Sequence, residues 1–258
     1  MGQVSSWPAR CHGAVAVRAH FALLATALAA TLCTTTLHAQ TNTLSGTVAL
    51  GSQLVDRGMA LTPVTPILQG ALTWTSAGGW IVGLQAATVL RSPGQDEALV
   101  QLGHYWSLSE DWRMLADATY YDYPGNAQAS AYARTEAGVS WMYRDVLSLG
   151  LSAIRLTSSN DHTVRGAADF DFHWPLPWQL SFTAGAGVTQ SLVRGGPHAY
   201  EYGYAPGSPY YGYGHAGLIW AHGPWRVELD RIATTMTIGR HVDGLTAAPW
   251  VATLSWSF

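Results

Sequence analysis

Lysine is absent from the chain: all 13 of its Lys and Arg positions are arginines. Charge of either sign is scarce, with 11% of the 258 residues being Asp, Glu, Lys or Arg, where a soluble globular domain carries about a quarter. A formal net charge of -3 gives no electrostatic footprint for nucleic acid, which is excluded as a partner. Cysteine occurs twice, at Cys11 and Cys33. Both fall in the leader described next, so the mature chain offers neither a disulfide nor a thiolate metal site. Beyond residue 39 no apolar run approaches the ~20 residues of a membrane-spanning helix.

Residues 1–39 read as a secretory signal peptide, followed by one domain at 40–258. Arg10 and Arg18 precede the apolar run FALLATALAATLC at 21–33, and TLHAQ places Ala39 at a cleavage point. Cys33 follows Leu32, where a lipoprotein signal requires a small residue. The chain is therefore expected to be exported.

What the remainder has in abundance is alternation with period two. In LSGTVALGSQL, Leu44, Val48, Leu50 and Leu54 alternate with Ser45, Thr47 and Gln53; RGAADFDFHW and QLSFTAGAGV repeat the pattern. Successive side chains of a strand point to opposite faces, so each segment has one apolar and one polar face. Twelve such segments are expected, at 43–55, 66–75, 79–90, 97–107, 112–122, 131–141, 146–154, 165–174, 179–188, 211–221, 225–233 and 248–258. Most approach the ~9–11 residues with which a tilted strand crosses a bilayer. Their connections alternate between short and long, and tryptophans flank the short ones: Trp74 and Trp80, Trp106 and Trp112, Trp174 and Trp178, Trp220 and Trp225. Indole rings favour the polar–apolar boundary. Together these features predict an all-β fold: an antiparallel up-and-down transmembrane barrel of about 12 strands, with short periplasmic turns, longer extracellular loops and a tryptophan girdle at the periplasmic rim. A soluble sandwich or secreted β-domain could also alternate. However, a soluble closed barrel would put its polar face outward and enclose the apolar one.

Parity then assigns lumen-lining residues: Arg113, Asp117, Arg134, Glu136, Arg165, Asp169, Asp171, Arg226, Glu228 and Asp230. Mutual ion pairing is the plainer reading of this mixed set; a transverse field that orients charged or dipolar solutes is the sharper one. Twelve strands ~4.8 Å apart and tilted ~40° give a backbone radius of about 12 Å, which leaves a narrow passage once side chains fill it. A long connection rich in tyrosine, with Tyr200, Tyr202, Tyr204, Tyr210, Tyr211 and Tyr213, is a candidate for stacking on a ligand or constricting the mouth. Its alternative is a rim against lipopolysaccharide. His104 is expected on the lipid face near Trp106. His198, His215, His222 and His241 are scattered without metal-ligand spacing. No catalytic set, metal or other cofactor is expected. Arg231 breaks parity, and two explanations stand open: pairing with lipopolysaccharide phosphate, or a bulge.

Two stretches carry resemblances. VATLSWSF, with Trp256 and terminal Phe258, resembles the C-terminal signature of bacterial outer-membrane proteins, which implies handling by the barrel assembly machinery. LSGTVALGSQLVDRGMALTPVTPILQGALTW resembles the opening hairpin of the TorF family of proteobacterial porin-like barrels of unknown function. The matching positions are Ser52, Arg57, Gly58, Pro66 and Gly70, while Leu54 and Asp56 stand where aromatics are usual. The expectation is an outer-membrane porin of a Gram-negative bacterium, a narrow passive channel for small hydrophilic solutes in contact with outer-membrane lipids and lipopolysaccharide. A lipid-modifying enzyme and a closed structural or surface-binding barrel are the competing readings.

Overall fold

The computed structural model describes residues 42–91, 94–126, 129–158, 163–192, 210–235 and 246–258. The expected signal peptide therefore lies outside the described residues, as do Tyr200, Tyr202, Tyr204, His198 and His241. The described residues form fourteen strands: β1 (Thr43–Gly51), β2 (Val55–Asp56), β3 (Met59–Ala60), β4 (Ile67–Thr75), β5 (Trp80–Val89), β6 (Asp96–Ser107), β7 (Trp112–Asp122), β8 (Arg134–Tyr143), β9 (Leu147–Leu156), β10 (Arg165–Pro175), β11 (Leu180–Gln190), β12 (Tyr210–His222), β13 (Trp225–Thr234) and β14 (Trp250–Ser257). Twelve of them form a closed antiparallel barrel in which each strand pairs with its neighbour and β1 pairs with both β4 and β14. The other two, β2 and β3, make a separate two-stranded ribbon.

The wall follows from the period-two pattern, and its polarity is inside out. Leu44, Val48, Leu84, Leu102, Leu151, Leu218 and Leu254 are all exposed on the outer face. Phe170 and Phe182, which a soluble core would have enclosed, are 42% and 37% exposed, while Arg134 is 0% exposed. An outer surface this continuously apolar belongs against lipid rather than water. Trp250 apart, the described tryptophans sit near the short-turn ends of their strands. Trp178, on the β10–β11 turn, is 87% exposed, and Phe258 ends the chain at the same end. Phe258 and Gly46 exchange two backbone hydrogen bonds of 2.9 and 3.0 Å. The Phe258 ring lies over Gly46, where any Cβ would collide with it. His104 packs on the outer face between Trp80 and Trp106, with ring centroids 4.9 and 4.4 Å away.

Several expected boundaries shift. The first segment ends at Gly51 rather than 55, because the chain there turns into the barrel. The segment expected from 131 begins at Arg134, since Ser130–Tyr132 is a 3-10 turn whose Tyr132 is buried. The segment at 146–154 runs on to Leu156, and the last strand starts at Trp250. Strand β13 continues in register through Arg231, opposite Trp250, without a bulge. Arg231 thus points outward, its guanidinium 5.5 Å from the Trp250 ring centroid.

A buried apolar cluster lies inside the barrel at the long-loop end. Leu54, Met59 and Leu61, from the first long connection, pack there with Ile67, Val89, Tyr123, Tyr132, Ile154 and Leu156. Most of the stretch 56–65, expected as an outer loop, therefore folds inward, and only its end near Val64 is exposed.

Candidate functional site

The inward-folded segment is built around Arg57-Gly58, which reverses the chain between β2 and β3. Both residues have positive φ, 47° and 75°, as a two-residue hairpin of type I′ requires. Glycine is needed at the second position twice over. Besides its φ, a Cβ there would lie 2.9 Å from Thr234 Cβ and 3.0 Å from Tyr213 Cβ. The stem is tied by Leu61 N–H donating to the Leu54 carbonyl at 2.9 Å. The Gln53 side chain donates to the Thr62 carbonyl at 2.9 Å, and Leu54 N–H donates to Thr62 Oγ1 at 3.0 Å. From across the mouth, Asn126 donates to the Leu61 carbonyl at 3.1 Å. The connection before β14 holds the far side: Ala247 N–H donates to the Gly58 carbonyl at 3.2 Å, and Ala248 N–H to Gln53 Oε1 at 2.7 Å.

At the tip, Arg57 reaches three wall strands. Nη1 donates to Glu136 Oε2 on β8 at 3.1 Å, and Nη2 to the second Glu136 oxygen, to Ser152 Oγ on β9 at 3.1 Å and to Asp169 Oδ2 on β10 at 3.3 Å. Tyr213 of β12 donates its hydroxyl to the other Asp169 oxygen. Gly187 of β11 makes that reach possible, because a side chain there would collide with the Tyr213 ring. Burial opposes the charge on Arg57, yet Glu136, Asp56 and Asp169 outweigh it and hold the guanidinium well above its ordinary pKa. Asp56, the preceding residue, accepts from the fully buried Arg134 at 2.8 Å. Arg134 also donates to Tyr123 Oη at 3.1 Å and Glu136 Oε2 at 3.4 Å, and lies 3.8 Å over the Tyr121 ring. Ribbon and wall are thus joined by two arginines pointing in opposite directions, one donated by each side.

Below this latch the lumen is more open. Arg226 and Glu228 pair on β13 at 2.7 Å, and Arg113 pairs with Asp145 of the β8–β9 turn at 3.2 Å. Asp117 accepts from Gln101 and Thr119, each at 3.0 Å. Ser148 donates to Asp171 at 3.4 Å. Asp230 also faces inward, lying over Gly217. Arg165, near the top of β10, donates to the Ser191 carbonyl at 3.0 Å and so braces the upper connections.

The ten residues assigned by parity all lie on the lumenal face, but they do not form one site. Arg134, Glu136 and Asp169 meet at the latch; Arg113, Asp117, Asp171, Arg226, Glu228 and Asp230 spread along the wall beneath it, and Arg165 serves the rim. Tyr210 and Tyr211 are not loop residues. They open β12, with Tyr210 exposed and accepting from Gln190 at 3.2 Å, and Tyr211 buried in the lumen. Parity reasoning also left out Asp56, Ser152 and the lumenal role of Arg57. Of the TorF-like positions, Ser52 exchanges two 3.0 Å hydrogen bonds with the Ala252 backbone, the Pro66 carbonyl accepts from Leu90 at 3.0 Å, and Gly70 sits on the outer face opposite Val48.

No family model matches the chain, and no curated protein matches it in sequence. Solved structures match it in fold. A NanC porin aligns with a TM-score of 0.52 at 11% identity, covering 84% of this chain and 99% of that one. A KdgM porin aligns at 0.50 and 8% identity, with 83% and 99% covered. A KdgM porin in complex with a disordered oligogalacturonate aligns at 0.50 and 5% identity, with 83% and 97% covered.

Proposed function

We propose that the protein is a passive channel for small hydrophilic solutes in the outer membrane of a Gram-negative bacterium, with the ribbon setting its narrowest point. The observation that carries this reading is the inverted polarity of a closed twelve-stranded wall: apolar side chains outside, ion-paired ones around the lumen. The fold shared with the NanC and KdgM porins supports it. In this orientation the short turns and their tryptophans face the periplasm, the ribbon lies towards the outside, and residues 1–39 are removed on export. Arg231 stands at the outer rim, where lipopolysaccharide phosphates lie, and Trp256 with Phe258 presents the segment that the assembly machinery engages. Transport rather than catalysis is the activity proposed, and no cofactor is assigned.

The ribbon favours a resting state of low conductance, because its core-like packing and its latch both occupy the outer half of the lumen. Purified protein in planar bilayers is expected to give small, discrete single-channel steps. Absence of steps from both the native chain and a chain lacking the ribbon would overturn the proposal.

A further inference from the structure

The wall around Arg57 is a binding site in its own right, and the side chain that fills it belongs to the chain itself. Four groups from four strands converge on one guanidinium or on its partner: Glu136 on both terminal nitrogens, Ser152 and Asp169 on one of them, and Tyr213 on the far oxygen of Asp169. A planar fork of N–H donors against carboxylates is the arrangement that guanidinium chemistry selects. The site is also shaded from water, with Glu136, Asp169 and Arg57 side chains only 10%, 14% and 13% exposed. An intramolecular guanidinium held in this way occupies a place whose shape and charge fit a solute cation of the same chemistry.

Asp56 and Arg57 belong to the ribbon together, one carboxylate and one guanidinium, so moving the pair leaves the net charge of the wall unchanged while it vacates the position that Arg57 holds against Glu136 and Asp169. We infer that the Glu136–Ser152–Asp169–Tyr213 wall is a solute-binding site for small organic cations, above all those bearing a guanidinium group, and that such solutes compete with Arg57 for it. This inference rests on the channel reading and names the class of solute. It sets the protein apart from a barrel that carries polyanionic sugars.

The test uses full-length mature protein carrying Arg57→Ala, with Arg57→Gln as a second version that keeps side-chain bulk, each confirmed as a folded barrel by its heat-modifiable gel mobility. In planar bilayers at constant ionic strength, arginine amide is expected to interrupt the current of both variants in a concentration-dependent way. Adding Glu136→Gln or Asp169→Asn should weaken that block about tenfold or more, as loss of one partner of a shielded charge pair does. Galacturonate should not block. Block by arginine amide that is indifferent to both wall substitutions, or absent, overturns the inference and leaves the channel standing. If neither these variants nor the native chain nor a chain lacking the ribbon conducts, calorimetric titration of arginine amide into detergent-purified Arg57→Ala decides. Binding that Glu136→Gln weakens upholds the site and overturns the channel, whereas no binding overturns both.

Discussion

Gly58 shows how much one residue settles here. Its φ of 75° and its contact with Thr234 and Tyr213 leave no room for a side chain. Gly58→Val should therefore displace the tip and cost about 1–3 kcal/mol of local stability, the usual range for a strained backbone position. Limited proteolysis is the measurement: cleavage near Arg57 should appear in the variant and be absent from the native barrel. Arg134 behaves differently because it is buried and paired. Arg134→Gln removes the buried cation that Asp56 and one Glu136 oxygen accept from and should cost about 3–5 kcal/mol, read as a lower urea midpoint for unfolding from lipid vesicles. At this scale the sequence was informative about direction but silent about company. Alternation sent Arg134, Glu136 and Asp169 to the lumen. It could not bring Arg57 to them, because Arg57 lies in no alternating segment and its partners lie 79 and 112 residues away.

The barrel strands were legible because each is long enough to repeat its pattern four or five times. The ribbon was not, since β2 and β3 are two residues each and two residues have no period. What the sequence did offer was composition: Met59 and Leu61 are large apolar side chains in a stretch otherwise read as an exposed loop, and burial accounts for them. The same cause moved the start of β8, where Tyr132 and Ala133 continue an apolar pattern but belong to the inner core. Replacing residues 54–61 with a short Gly/Ser linker removes the ribbon without touching a wall strand. Single-channel conductance is expected to rise severalfold, and a value unchanged from the native protein would show that the ribbon does not set the constriction.

The molecule as a whole turns the usual globular arrangement around, so its solubility is the simplest check. The mature protein should sediment with membranes, resist extraction by high salt and dissolve only in detergent; recovery from the soluble periplasmic fraction would contradict the orientation of every wall strand. Closure adds a further demand. The seam joins β1 to β14 through pairs such as Thr47 with Ser257, whose hydroxyls meet at 3.0 Å across 210 residues of chain. Contacts so distant in sequence form late and slowly, and until they form both edge strands expose unpaired backbone groups. A polypeptide that needs its final strand to satisfy its first cannot mature piecemeal as it emerges. It has to stay unfinished, its two edges covered, until it reaches the lipid in which the seam closes.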